Sequence, residues 1–369
     1  MKLFFGTSIT HQSSPMDGAQ ADREGMKTMV GSLPFVSVVV PCRDEVQYIR
    51  GCLDSILAND YPKDRYEVLV VDGMSRDGTR AILEEYSRRD PRIRILDNPK
   101  GTTPAALNIG VRGARGELIV RMDAHAGVEE GYISKCAAAL KKYGADNVGG
   151  IMKTLPREDT LAARAVATVL SSRFGVGNSY FRIHTRSPKW VDTVFGGCYR
   201  KEVFERTGFF NENLLRGQDM EFNLRLKRAG GRTLLDPGIV SFYYPRCEFG
   251  VFVKNNFHNG LWAILPFLYS PVRPVSWRHL APLAFVSALI ASAGLALAGW
   301  LGWAPFLALA GAYAAASLGA SIHAAAAAKE PRQALILPAA FLGLHLSYGL
   351  GSLAGAGRLA FSFLRGRSR

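Results

Sequence analysis

The stretch FVSVVVPCRDE, residues 35–45, decides the fold. Its first half is apolar and rich in β-branched valine, the composition of a buried strand. It stops at Pro41 and a polar cluster, Cys42-Arg43-Asp44-Glu45. Ile49, Leu53, Ile56 and Leu57 follow at helical spacing. The same strand-then-helix unit then recurs. EVLVV at 67–71 ends at Asp72-Gly73, and a helix over 79–89 follows with Asp77 as its cap. Residues 92–96 form a third strand, 104–112 a helix, and 117–122 a fourth strand ending at Asp123. Such alternation predicts an α/β fold: a mostly parallel sheet with helices on both faces. Ligands of these sheets sit outside the C-terminal strand ends. Asp44 and Glu45, Asp72, and Asp123 all fall there.

Downstream the pattern is mixed. A helix over 129–143 begins with acids and ends with Lys141, Lys142 and Gly144, charges that suit its dipole without any function. An Ala-rich helix runs from 159 to about 173, and a Gly-rich segment covers 174–177. FGGCY at 195–199 precedes a helix over 201–205. A further helix spans 219–229 and a short strand 233–235.

The chain has 369 residues, 48% of them apolar and very unevenly spread. No Asp, Glu, Lys or Arg occurs over 280–328 or over 334–356. Length and polarity predict membrane spans near 280–300, 304–324 and 334–354. Residues 249–269 are aromatic but broken by Lys254, Asn255, Asn256, His258 and Asn259, the pattern of a helix lying in a membrane interface. The formal charge of +14 comes from scattered residues, which favours a membrane protein with an inward-facing domain over a nucleic-acid binder. Lys329 and Arg332 between the second and third segments obey that orientation. Arg358, Arg365, Arg367 and Arg369 do not, so either the third segment is re-entrant or the charge rule is overridden. The five cysteines contain no C-x-x-C pair and read as buried and reduced.

Single motifs leave alternatives open. Gly73 to Thr79 has P-loop glycine spacing but lacks the lysine that reaches the phosphates, so an ATPase is excluded. Asp72 is either a turn-former or an acceptor for a nucleobase N–H. Asp123 and His125 stand two apart, and on a strand would face one side. Their carboxylate and imidazole suit a divalent metal, with Mn²⁺ favoured over Mg²⁺ by the mixed donors. Asp219 either stabilises a helix N-terminus or serves as a general base.

Taken together, SVVVPCRDEVQYIRGCLDSILANDYPKDRYEVLVVDGMSRDGT (37–79), PAALNIGVRGARGELIVRMDAHA (104–126) and VFGGCYRKEVFERTGFFNENLLRGQDMEFNLRLKRAG (194–230) resemble a family 2 glycosyltransferase of GT-A fold. DAHA followed by C-terminal spans is similar to the succinoglycan-type membrane transferases. The resemblance implies that Pro41, Arg43, Glu45, Asp72 and Ser75 hold the nucleotide. It implies that Asp123 and His125 hold the metal on the sugar-nucleotide diphosphate, and that Asp219 is the catalytic base. Two departures stand out: Gln218 precedes Asp219 where Glu is usual, and Asp44 stands where Asn is common. The implied activity is inverting transfer of one sugar from a nucleotide-diphosphate sugar to a polyprenyl-diphosphate-linked glycan. That would take place at the inner (cytoplasmic) membrane with the catalytic domain on the cytoplasmic side. No nucleic acid is expected. Single addition is favoured because residues 254–262 lack the Q-x-x-R-W motif of processive synthases. The alternative is a non-catalytic scaffold that keeps the fold. The expected organisation is a tail at 1–33, a GT-A domain at 34–248, an interfacial segment at 249–279 and a membrane domain at 280–369.

Overall fold

The structure, a computed structural model, describes residues 33–245, 248–273 and 276–366. All but Leu33 of the expected tail lies outside the described residues, as do Cys247, Arg367 and Arg369.

Four strands form the parallel half of the sheet: β1 (Val36–Cys42), β2 (Tyr66–Asp72), β3 (Ile93–Asp97) and β4 (Leu118–Arg121). Their spatial order is β3-β2-β1-β4, and every pairing among them is parallel. All four C-terminal ends therefore share one edge. Chain order reverses between β1 and β4, the place where such sheets open a ligand crevice. Pro41 is tolerated in a central strand because β4 pairs β1 only from Val36 to Val39.

Both faces are covered. Val36, Val38 and Val40 pack beneath α1 (Ile49–Leu57), α2 (Thr79–Arg89) and α4 (Tyr132–Tyr143). Val39, Leu69 and Val71 pack on the other face against α3 (Thr103–Gly113), α8 (Glu202–Thr207) and α9 (Gln218–Arg228). This is why β1 and β2 read as continuous apolar runs.

The second half of the sheet is mixed. It adds β5 (Ala126–Val128), β6 (Asn147–Thr154), β7 (Lys189–Val191), β8 (Cys198–Arg200) and β9 (Thr233–Tyr243). β8 joins it to β4 by antiparallel pairing, and β9 lies parallel to β6. β9 runs well past the strand expected over 233–235. It continues through Asp236-Pro237-Gly238 because the register slips opposite Gly149 and Ile151, a bulge that accommodates the proline. α4 begins at Tyr132 rather than 129. Glu129 instead accepts from the backbone N–H of Val240 at 2.8 Å and ties β9 to the sheet. The N-cap of α2 is Gly78, at φ 97°, rather than Asp77, which stands one residue earlier and accepts from the N–H of Thr79 at 3.0 Å. Cys42, Cys52, Cys136 and Cys198 are free and buried, as expected.

Three short helices, α5 (Leu161–Ser171), α6 (Arg173–Val176) and α7 (Tyr180–Ile183), precede β7. After β9 come α10 (Phe249–Ile264), α11 (Pro266–Tyr269), α12 (Trp277–Leu297), α13 (Ala304–Ala327) and α14 (Leu337–Leu364). The last three are long and apolar enough to cross a membrane. α14 is one uninterrupted helix of 28 residues, about 42 Å long at 1.5 Å per residue. α10 packs along α14 so closely that a β-carbon at Gly260 would collide with the Tyr348 carbonyl, and one at Gly351 with the Phe257 carbonyl. The Ser352 hydroxyl bonds the Gly260 carbonyl at 3.1 Å across this seam. Small residues allow that approach, as between membrane helices. Further along, Leu337, Phe341 and Leu344 of α14 pack on Val166 and Val169 of α5.

Candidate active site

At the C-terminal strand edge the β1 and β2 loops are tied together. Asp72, 2% exposed, accepts from the Ser75 backbone N–H at 3.1 Å and from its hydroxyl at 2.6 Å. The Asp44 N–H donates to Ser75 Oγ at 2.9 Å, and the Arg76 N–H to Asp44 Oδ1 at 2.8 Å. Asp44 and Met74 both hold positive φ, 54° and 61°. An aspartate tolerates that conformation better than most residues. Strain in two facing loops is the kind that persists where a surrounding network fixes it. Arg43 reaches across to the Gly101 carbonyl at 3.1 Å. Thus Arg43, Asp72 and Ser75 gather on one side of the edge. Pro41 lies within β1, opposite Val71.

Glu45 is elsewhere. Its Oε1 lies 3.0 Å from Nδ1 of His125, while its Oε2 is buried with no hydrogen-bond partner among the described residues. The His125 ring stands edge-on to Tyr48 and Tyr243, with centroids 6.2 and 5.6 Å away. The carboxylate at Nδ1 fixes the orientation of the imidazole.

Arg121, the last residue of β4, organises the rest. It is 7% exposed, and its Nη2 donates to Asp123 Oδ1 at 2.7 Å. Its Nη1 lies 3.8 Å from Asp219 Oδ2. Burial opposes its charge, yet the Asp123 and Asp219 carboxylates hold its pKa above the ordinary arginine value. The backbone there is pinned by the Arg121 N–H to Gly197 carbonyl bond at 2.9 Å. Gly196, at φ 67°, passes so near the Arg121 carbonyl that a β-carbon would sit 2.8 Å from it. The FGGCY motif thereby fixes the position of the arginine. Sequence reasoning missed Arg121; its signal is a charged residue closing a buried strand just before D-x-H.

Asp219 stands in the first turn of α9, where the helix dipole favours its charge, and its Oδ1 accepts from the Met220 N–H at 2.9 Å. Glu221, two residues on, is engaged elsewhere. It is buried and bound by Arg225 at 2.9 Å and by the Ser270 hydroxyl at 2.8 Å. Gln218 is also buried, and its Oε1 finds no donor among the described residues.

The donor set suits a divalent cation that shares its shell with a substrate. Among the described residues no three His, Cys, Asp or Glu side chains form a protein-only cage. Asp123 and His125 lie not on a strand but in the turn between β4 and β5, where they could offer a cation one carboxylate and one imidazole, with Glu45 against the Nδ1 side of the ring. Cations that bind with a nucleotide commonly take only one or two protein ligands and complete the shell with phosphate oxygens.

Asp219 also lines a cavity of about 650 Å³ between the sheet domain and the C-terminal helices. Its walls include Phe174, Trp262, Phe285 and Leu344, together with Arg182, Arg216 and Arg278.

Comparison with known proteins matches this architecture. The glycosyl transferase family 2 model fits residues 37–208. Succinoglycan biosynthesis protein ExoA of Rhizobium meliloti (strain 1021) is 30% identical over 316 residues, 85% of this chain and 92% of the relative. A dolichyl N-acetyl-α-D-glucosaminyl phosphate 3-β-D-2,3-diacetamido-2,3-dideoxy-β-D-glucuronosyltransferase of Methanococcus voltae is 29% identical over 234 residues, 61% of this chain and 72% of the relative. Mannosyltransferase PcManGT from Pyrobaculum calidifontis, solved with GDP-Man and Mn²⁺, superposes with a TM-score of 0.59 at 22% identity, covering 91% of this chain and 95% of that one. With ExoA similar over nearly its whole length and the parallel strand edge intact, the chain belongs to glycosyl transferase family 2 and is a glycosyltransferase of GT-A fold.

Proposed function

We propose that the protein is an inverting, metal-dependent, membrane-bound transferase that moves one sugar from a nucleotide-diphosphate sugar to a lipid-linked glycan in polysaccharide synthesis. The observation that carries this reading is the Arg121 side chain, which joins Asp123 at the strand edge to Asp219, and Asp219 in turn stands on the wall of a cavity bounded by apolar helices. The names of two relatives support the product and acceptor classes: one refers to succinoglycan biosynthesis, the other to a dolichyl phosphate sugar.

Arg43, Asp72 and Ser75 hold the nucleotide, and Asp72 accepts from a base N–H. Pro41 shapes the strand end beneath it. Asp123 and His125 hold the cation beside the diphosphate, and Glu45 orients the imidazole. A bound divalent cation supplies charge neutralisation for the departing diphosphate. Asp219 takes the proton from an acceptor hydroxyl as its oxygen bonds to the anomeric carbon. The carbon–oxygen bond to the diphosphate breaks on the opposite face, so configuration inverts. Arg121 keeps the two carboxylates apart and in register. The domain before α10 sits on the cytoplasmic face of the inner membrane, and α12 to α14 form the membrane domain, with α10 packed along α14.

The test is nucleoside diphosphate release by the purified full-length protein across a donor screen, with a polyprenyl-diphosphate glycan as acceptor. Release should require acceptor, cease with a chelator, return better with Mn²⁺ than with Mg²⁺, and fall at least about 100-fold in Asp219→Asn. Unchanged turnover in that variant, or in Asp123→Ala combined with His125→Ala, would overturn the assigned roles.

A further inference from the structure

The cavity beside Asp219 holds three arginines that the transfer chemistry does not use. Arg216 donates to Asn259 Oδ1 at 2.7 Å and to Asn255 Oδ1 at 3.3 Å. Arg278, in the first turn of α12, donates to Asn178 Oδ1 at 3.2 Å. Arg182 stacks over Tyr243, and its Nη1 is buried with no hydrogen-bond partner among the described residues. All three are half-buried, and among the described residues none has a carboxylate within salt-bridge distance. Burial pushes the Arg182 and Arg216 guanidinium pKa below the ordinary value. Among the described residues the one acid on the cavity wall is Asp219, which is directed to Arg121.

Guanidinium groups removed from water without a counter-ion are costly, and here they converge on one space. Neutral asparagines satisfy part of their donor capacity and none of their charge. An anion with several oxygens would satisfy both. Much of the remaining wall is hydrocarbon and aromatic, including Phe174, Trp262, Phe285, Tyr313 and Leu344, the last three on helices able to cross a membrane. A ligand that fits must therefore carry a compact anionic group joined to a long apolar chain. Its anion must also lie near the level where α12 begins, since Arg278 opens that helix.

We infer that this cavity is the acceptor subsite, with Arg216 and Arg278 gripping the phosphate headgroup of a prenyl-linked acceptor whose chain leaves between α10, α12 and α14. This deepens the transferase reading, because the same cavity presents Asp219 to the sugar hydroxyl carried by that headgroup. Arg182 lies on the other side. Tyr243, beneath its guanidinium, also packs on His125, so Arg182 stands between the acceptor headgroup and the donor diphosphate.

The experiment uses the full-length protein in nanodiscs and three probes: farnesyl diphosphate, farnesol and inorganic diphosphate. Farnesyl diphosphate should bind at least about tenfold more tightly than either fragment, since only it engages both halves of the cavity. Arg216→Gln and Arg278→Gln should each weaken it by about tenfold or more, while Arg278→Lys retains most of the affinity. Binding of a nucleoside diphosphate should be unchanged in all three variants, which also reports that they are folded. Wild-type affinity for farnesyl diphosphate in both Gln variants would overturn the inference. So would equal binding of farnesyl diphosphate and inorganic diphosphate, with nucleoside diphosphate binding lost in the variants, because the arginines would then serve the donor. Failure of the transferase reading looks different: prenyl diphosphate binds through the arginines, but no donor sugar is turned over.

Discussion

The strand edge and the helical cavity both concentrate charge, but they manage it in opposite ways. At the strand edge almost every charge has a partner within the protein: Asp123 and Asp219 share Arg121, Glu45 meets His125, and Asp72 is held by Ser75 and Arg80. In the cavity, Arg182, Arg216 and Arg278 have neutral partners or none. A self-neutralised cluster is built to keep fixed geometry. A cluster with net charge is built to receive something. The contrast separates machinery that must be aligned before substrate arrives from a site completed by its ligand.

Removing Arg121 should break the first region most severely. Arg121→Gln strands two carboxylates, and the loss of a buried ion partner costs about 3 kcal/mol. A clear drop in unfolding midpoint, with turnover lowered by about 100-fold, is expected in a thermal scan and a release assay. An unaltered midpoint would show that the two acids do not depend on it. Glu45→Gln should be milder. It leaves the fold and the ligands in place but weakens support for the imidazole, so the metal concentration needed for half-maximal turnover should rise by about tenfold. If that concentration stays put, Glu45 belongs to the nucleotide rather than to His125.

A smaller effect sits beneath the edge, at Glu67. Its carboxylate is buried, which alone would raise its pKa, but the Arg115 N–H, Arg94 and Ser37 overcome this and hold it below the usual carboxylate value. A depressed folded pKa stabilises the protein above the unfolded pKa, and that gain disappears as pH falls through the folded value. Wild type should therefore lose midpoint on acidification more steeply than Glu67→Gln. Parallel curves would remove Glu67 from the acid-sensitive groups. The smallest shift is expected in the cavity: Arg216→Gln deletes a charge that has no acidic partner, so the midpoint should stay level or rise. A fall like that of Arg121→Gln would erase the contrast between the regions.

The parallel half of the sheet was legible because each strand and its helix are adjacent in sequence. SVVVP and EVLVV carry their burial in their own composition, and the helices after them carry theirs in spacing. The second half was not. β6 reads NVGGIMKT, with two glycines and no alternation, and its partners β8 and β9 lie 50 and more residues away. β9 was cut short at Pro237 because only a bulge, invisible in sequence, lets the strand continue past it. Among site residues, Asp72, Asp123 and Asp219 could be singled out because each ends a strand or opens a helix. That the Glu45 carboxylate meets His125 depends on a side-chain direction that spacing does not encode.

The sequence by itself determined the α/β alternation, the acids at the strand ends and the three apolar helices. These are local properties, set by periodicity, composition and length. Tertiary structure alone decided that Arg121 joins Asp123 to Asp219, that α10 lies in backbone contact with α14, and that three arginines from α7, the loop before α9 and the start of α12 face one cavity. Each of those contacts closes a long loop, and its partners are chosen by packing between distant segments rather than by anything written beside them in the chain.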